Sequence, residues 1–184
     1  MIITKRRDSS GNWTTYHDAV GINKVFYLNS NAAVASNTEQ YRATPTSSVY
    51  TVGVGGDINN SSGTYVAYVF AEVEGFSKIS AFEGNGNADG PFISTGFAPA
   101  FIIWKNVDTA GNHWVMADRA RSPYNVSDER LFPDLNQAEN TSTAMCDFLS
   151  NGFKIRSTMG EINTSGDTII YIALAESPFK TATA

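Results

Sequence analysis

The sequence predicts an all-β protein made of two duplicated antiparallel β-sandwich-type units. Three observations carry that prediction. Hydrophobic residues form 42% of the 184-residue chain and charged residues only 17%, a balance that suits short strands and polar turns better than charged helical surfaces. Apolar runs of strand length alternate with Gly, Asn, Asp and Ser clusters, which are turn chemistry. Three blocks also recur, in the same order, at a spacing of about one hundred residues.

The first block is Ile2-Ile3-Thr4-Lys5, Asp8 and Gly11-Asn12-Trp13, echoed by Ile102-Ile103-Trp104-Lys105, Asp108, Gly111-Asn112 and Trp114, with His113 inserted. Residues 1–5 and 100–104 are β-branched and aromatic, and a turn leads each into a Trp-bearing strand, Trp13 to Tyr16 or Trp114 to Ala117. Each first block therefore predicts a β-hairpin. A weaker echo pairs Lys24-Val25-Phe26 with Arg130-Leu131-Phe132.

The second block runs from Tyr50-Thr51-Val52 to Gly56-Asp57-Ile58-Asn59 and is echoed by Phe153-Lys154-Ile155 to Gly160-Glu161-Ile162-Asn163; it reads as strand and turn. The third, Thr64 to Glu72 echoed by Thr168 to Glu176, is almost unbroken apolar sequence. It predicts a central strand covered on both faces, with Val66, Tyr68 and Phe70 on one side and Tyr65, Ala67 and Val69 on the other.

Unit one spans 1–78, a Gly/Asn-rich linker 79–90, and unit two 91–184. Glycines and Asn or Asp in the stretch from Gly75 to Gly90 turn the chain sharply. Residues 91–100 add a strand ahead of the first hairpin of unit two. Unit one has no counterpart, so it is expected to lack an opening strand and either to leave a sheet edge for another copy or a neighbouring segment, or to be part of a longer repeat protein.

Four stretches carry a family resemblance: Gly96 to Lys105; Asp118 with Arg121-Ser122-Pro123; Asp147 to Arg156; and Tyr171 to Phe179. They resemble a repeat module of bacteriophage and marine-virus proteins, tail-fibre-like or other virion components, often found beside concanavalin-like (laminin-G-like) β-sandwich domains. The resemblance implies a virion location, a structural or host-surface-binding role, and other virion proteins or copies of the chain as partners. A host-surface glycan is a further partner class it allows. It supplies no catalytic residues.

The residues themselves narrow the chemistry. A net charge of -5 argues against a nucleic-acid backbone as partner, and no apolar run is long enough to span a bilayer as a helix. Cys146 is the only cysteine, so no disulfide forms within the chain, and it reads as a small buried hydrophobe. His17 and His113 lack the neighbouring His or Cys that a zinc site needs. His17-Asp18 reads as a strand end rather than a general base.

No cofactor is expected, and Gly84-Asn85-Gly86-Asn87 lacks the Lys-Ser/Thr pair and the helix of a phosphate cradle. A metal stays open: Asn85 to Asp89 and Asp128 to Asn136 cluster oxygens suited to calcium without an EF-hand pattern. Trp13 and Trp114 occupy matched positions and read as core. A ligand surface is expected where the units diverge, at Trp104, His113, Arg119, Arg121, Tyr124 and Asn125. The sequence thus supports a non-enzymatic module. The rivals are a carbohydrate-binding module and a glycan hydrolase using carboxylates such as Asp118, Asp128 and Glu129.

Overall fold

The computed structural model describes residues 1–177. Apart from two single-turn helices it is all β, and every strand pairing is antiparallel. The first hairpin is β1 (Ile2–Arg6) and β2 (Trp13–Tyr16). β3 (Lys24–Tyr27) and β4 (Ala35–Ser36) extend it on one side and β7 (Tyr65–Val69) on the other, giving a five-stranded sheet in the order β4-β3-β2-β1-β7. β5 (Tyr41–Ala43) and β6 (Thr51–Val52) form a separate ribbon.

The second hairpin is β10 (Pro99–Asn106) and β11 (Val115–Asp118). With β14 (Thr168–Ala175) and β8 (Ser77–Glu83) it makes a four-stranded sheet in the order β11-β10-β14-β8. β12 (Cys146–Leu149), β13 (Gly152–Ile155) and β9 (Phe92–Ser94) form a three-stranded sheet. Gly152 is dictated by that pairing, since a Cβ there would collide with the Ile93 carbonyl oxygen.

Matched residues of the two halves sit on matched rungs. Thr4 pairs with Thr14 and Ala67, and their counterparts Trp104, Val115 and Tyr171 pair in the same way. Arg7 N donates to Thr64 O at 2.8 Å, and Val107 N to Thr168 O at 3.1 Å. Lys5 Nζ donates to Arg6 O at 2.6 Å, and Lys105 Nζ to Asn106 O at 2.5 Å. The second block holds a helical turn in each half, α1 (Gly56–Asn59) and α2 (Gly160–Asn163). Each buries its isoleucine, Ile58 or Ile162, and donates from its last asparagine to a backbone oxygen at 2.6 Å, Asn59 to Gly53 and Asn163 to Ser157.

Strand alternation sends neighbouring residues of one strand into different cores. Ile3 and Phe26 from the five-stranded sheet meet Ile103, Trp114, Ile170 and Ile172 from the four-stranded sheet, so the two large sheets pack back to back. On the far side, Ile102, Trp104, Ala117 and Tyr171 pack on Phe148, Phe153 and Ile155 of the three-stranded sheet. Ile2 and Tyr16 pack on Tyr41 of the β5-β6 ribbon. The halves are also bonded directly: Trp114 stacks on Phe26 with 6.0 Å between ring centroids and donates Nε1 to Tyr27 O at 2.9 Å, while Val34 N donates to Val107 O at 2.8 Å.

The structure corrects three expectations about the layout. The linker is not a turn throughout, because Ser77–Glu83 forms β8 and pairs with β14 over seven rungs. Its alternation sends Ile79 into the core between the large sheets and sets Phe82 against Phe153 and Tyr171 on the other side. The open edge is not at residues 1–5, since β1 is paired on both sides; it lies at β7. The third block is central and covered only in its second copy. β14 is largely buried, whereas Tyr68 and Val69 of β7 are 48% and 62% exposed, because β7 ends its sheet.

The shared core makes the halves unfold together. Trp114→Ala is expected to destabilise the whole chain by about 3–5 kcal/mol in urea denaturation, with a single transition; two separated transitions would contradict a common core. His17 gives a pH dependence across the same seam. It is buried, Ala19 N donates to its Nδ1 at 3.2 Å, and its Nε2 faces Tyr171 O at 3.4 Å, so the proton sits on Nε2. Burial pushes its pKa from 6.5 down to about 4. The unfolded chain takes up the proton first, so this contribution is complete above pH 6.5 and is lost as pH falls toward 4, roughly 3 kcal/mol in all. His17→Gln is expected to remove that part of the slope in chemical denaturation at pH 4 to 7.

Candidate functional site: an open sheet edge

β7 is made almost entirely of Tyr, Val and Ala, good strand formers with no charge to repel a neighbour. One side is bonded to β1, where Met1 N and Phe70 O, Phe70 N and Met1 O, and Arg7 N and Thr64 O are paired. The alternation of an antiparallel ladder then turns the N–H and C=O of Tyr65, Ala67 and Val69 away from β1. No strand among the described residues lies beyond them. Their counterparts Ile169, Tyr171 and Ala173 on β14 face β8 and are paired with Phe82, Ser80 and Lys78.

The apolar surface continues past the strand. Tyr68, Val69, Phe70, Val73 and Phe76 are each at least 36% exposed, half of the large exposed hydrophobic side chains among the described residues. The turn from β7 to β8 is nevertheless well fixed. Glu72 accepts from Lys78 Nζ at 3.1 Å and Ile79 N at 3.0 Å, and Ser77 Oγ donates to Ala71 O at 2.8 Å. Two concavities flank it, one of about 530 Å³ against Ser94, Thr95 and Gly96 and one of about 460 Å³ against Met1, Asp18 and Phe70. A third, about 180 Å³ and wholly apolar, opens between the large sheets beside Phe70.

The six residues expected to form a ligand surface are not brought to one pocket. Trp104 is a correction: its ring is fully buried and set edge-on to Phe153 at 5.7 Å, so it presents nothing to solvent. His113 Nδ1 is 2.7 Å from the buried Asp134 carboxylate. Arg119 donates to Glu176 at 2.8 Å, and Arg121 donates to Asp118 at 2.5 Å and also to Glu139. Asn125 both donates to Phe148 O and accepts from Phe148 N at 2.9 Å, holding its loop to β12. Tyr124 alone stands free, 82% exposed.

The remaining reactive groups are engaged in the fold. Cys146 is fully buried, as its sequence context implies, and burial pushes its thiol pKa up. Lys105 is also enclosed, and the loss of hydration pulls its ammonium down to about 8. In the Asn-rich loop, Asn85 Oδ1 accepts from Asn87 N and Asn163, Asn87 Oδ1 accepts from Asp89 N, and Asp89 is paired with Lys154 at 2.8 Å. Those oxygens close turns and bridge to unit two. No three His, Cys, Asp or Glu side chains among the described residues converge as a metal centre requires.

The sequence signal for this edge was the charge-free stretch from Ile58 to Ala71. The third block, Thr64 to Glu72, nevertheless predicts a covered central strand, because periodicity reports burial potential and not the presence of a neighbour.

A family profile matches residues 1–178, taking in both halves. The chain belongs to the family described as domain of unknown function DUF7483. The DUF7483 unit is therefore the back-to-back pair and not a single half, in keeping with the shared core. The DUF7483 description states no activity. No curated protein and no solved structure matches the chain.

The exposed apolar stripe gives a direct check. The unmodified chain is expected to bind a hydrophobic fluorophore such as ANS. Val69→Lys combined with Val73→Lys is expected to weaken that signal while shifting unfolding stability by no more than about 0.5 kcal/mol per site, since both side chains lie outside the cores. Unchanged fluorescence would place the apolar surface elsewhere.

Proposed function

We propose that this chain is a non-enzymatic structural module of a bacteriophage virion, tail-fibre-like in kind, which assembles by accepting a strand at β7. On this reading its two units descend from one duplicated ancestor. The observation that carries the proposal is the unpaired β7 edge with its apolar margin. Unpaired edges template further strands, and monomeric proteins normally blunt them with charge, proline or a covering segment. Among the described residues the corresponding edge of β14 is covered by β8 and that of β7 is not, which supports strand addition at β7. The resemblance of the four motif stretches to virion repeat modules supplies the setting, and the matched rungs of the two halves support the duplication.

Attachment to a host-surface glycan is the second reading. It is favoured by Tyr124, whose exposed ring offers the flat amphipathic face that sugars stack on. A glycan array on which Tyr124→Ala binds as the parent chain does would remove it.

The assembly reading is tested by hydrogen exchange. In purified particles of the phage encoding this chain, the amides of residues 64–70 are expected to exchange far more slowly than in the isolated chain at high dilution. Equal exchange in both states, or particles that do not contain the chain, would overturn the proposal.

A further inference from the structure

We infer that the strand completing this edge is β7 of a second copy, related to the first by a twofold axis through Ala67. The inference rests on the assembly reading above and names the partner within it. Three features of the strand select a second copy.

The first is that Tyr-Val-Ala-Tyr-Val, turned end for end about Ala67, exchanges Tyr for Val at each remaining position. Laid antiparallel on itself about Ala67, it places Tyr65 opposite Val69 of the partner, Val66 opposite Tyr68, and the small Ala67 opposite its own mate. Aromatic and β-branched side chains opposite one another are favourable cross-strand pairs. The outward N–H and C=O groups of Tyr65, Ala67 and Val69 then meet each other in register, as an antiparallel ladder requires.

The second feature is charge. From Ile58 to Ala71 there is none, so the axis brings no like charges together. A partner strand of opposite charge would have nothing on this edge to read. The third is internal precedent: β14 accepts β8 antiparallel through the same three backbone positions, so this curvature of sheet already tolerates a neighbour there. The product is a ten-stranded sheet running through both copies, with an isologous interface that closes at two.

The fold allows the edge to be altered without touching the rest. The Ala67 N–H points away from β1, so Ala67→Pro removes one intermolecular donor and none from the β1 ladder. The Ala67 side chain is exposed, so Ala67→Lys and Ala67→Glu leave every core intact.

Sedimentation equilibrium is expected to give twice the 19.9 kDa chain mass at high concentration, dissociating on dilution without larger species. Ala67→Lys and Ala67→Glu are each expected to weaken dimerisation at least about tenfold, because self-pairing sets like charges face to face. An equimolar mixture of the two is expected to recover the dimer. Ala67→Pro is expected to be monomeric with an unchanged near-ultraviolet circular dichroism spectrum.

A parent chain that stays monomeric at all concentrations overturns the inference. So does open-ended growth with concentration, which signals head-to-tail pairing, or a mixture of the charge variants that fails to dimerise. If the chain is monomeric alone while residues 64–70 are still protected in particles, the partner is a different protein, and the assembly reading survives the loss of this inference.

Discussion

The back-to-back contact of the two large sheets is the constraint from which the rest of the molecule follows. Ile3 and Phe26 on one side and Ile103, Trp114, Ile170 and Ile172 on the other form one core that neither half contains alone. Because strand side chains alternate, committing one face of each sheet to this seam leaves the other face to be covered separately, and that is the work of the β5-β6 ribbon and the three-stranded sheet. The layered stack, the burial of His17 and the stacking of Trp114 on Phe26 all derive from that one contact.

A good part of this was legible in the sequence. The strands of both first hairpins fall where turn residues and β-branched runs place them, and the recurring blocks pair on matched rungs of the ladders. What could not be read was the partner of each face. Alternation says that a strand has an apolar side and is silent on whether the opposing layer comes from its own half or from the other. For that reason the layers expected within each unit are present, but a further core is built across the two. β8 is hidden in the sequence because its Ser, Lys and Glu resemble linker chemistry, although Ile79 and Phe82 anchor it on opposite faces.

Trp104 illustrates why divergence between matched positions is a poor guide to a ligand surface. In the first half the small Thr4 on the central strand receives the large Tyr41 from the covering layer, hydroxyl to hydroxyl at 2.9 Å. In the second half the bulk lies on the central strand, as Trp104, and meets Phe153. The same volume is filled from opposite directions, so the difference between Thr4 and Trp104 records repacking of a common layer. The site that does emerge, the edge of β7, lies in a segment whose composition hardly differs from its buried counterpart. Only the absence of a neighbouring strand among the described residues distinguishes them.

The position of β8 in the chain has a bearing on biosynthesis. Residues 77–83 leave the ribosome long before residues 168–174, yet each is the other's neighbour in the finished sheet. The edge of β8 must therefore wait, unpaired, while the residues between the two strands are made, and β14 is the strand that then locks the two halves together. Closure of this fold is in consequence deferred until β14 has been made, and a nascent product truncated before it would leave β8 as well as β7 without that pairing.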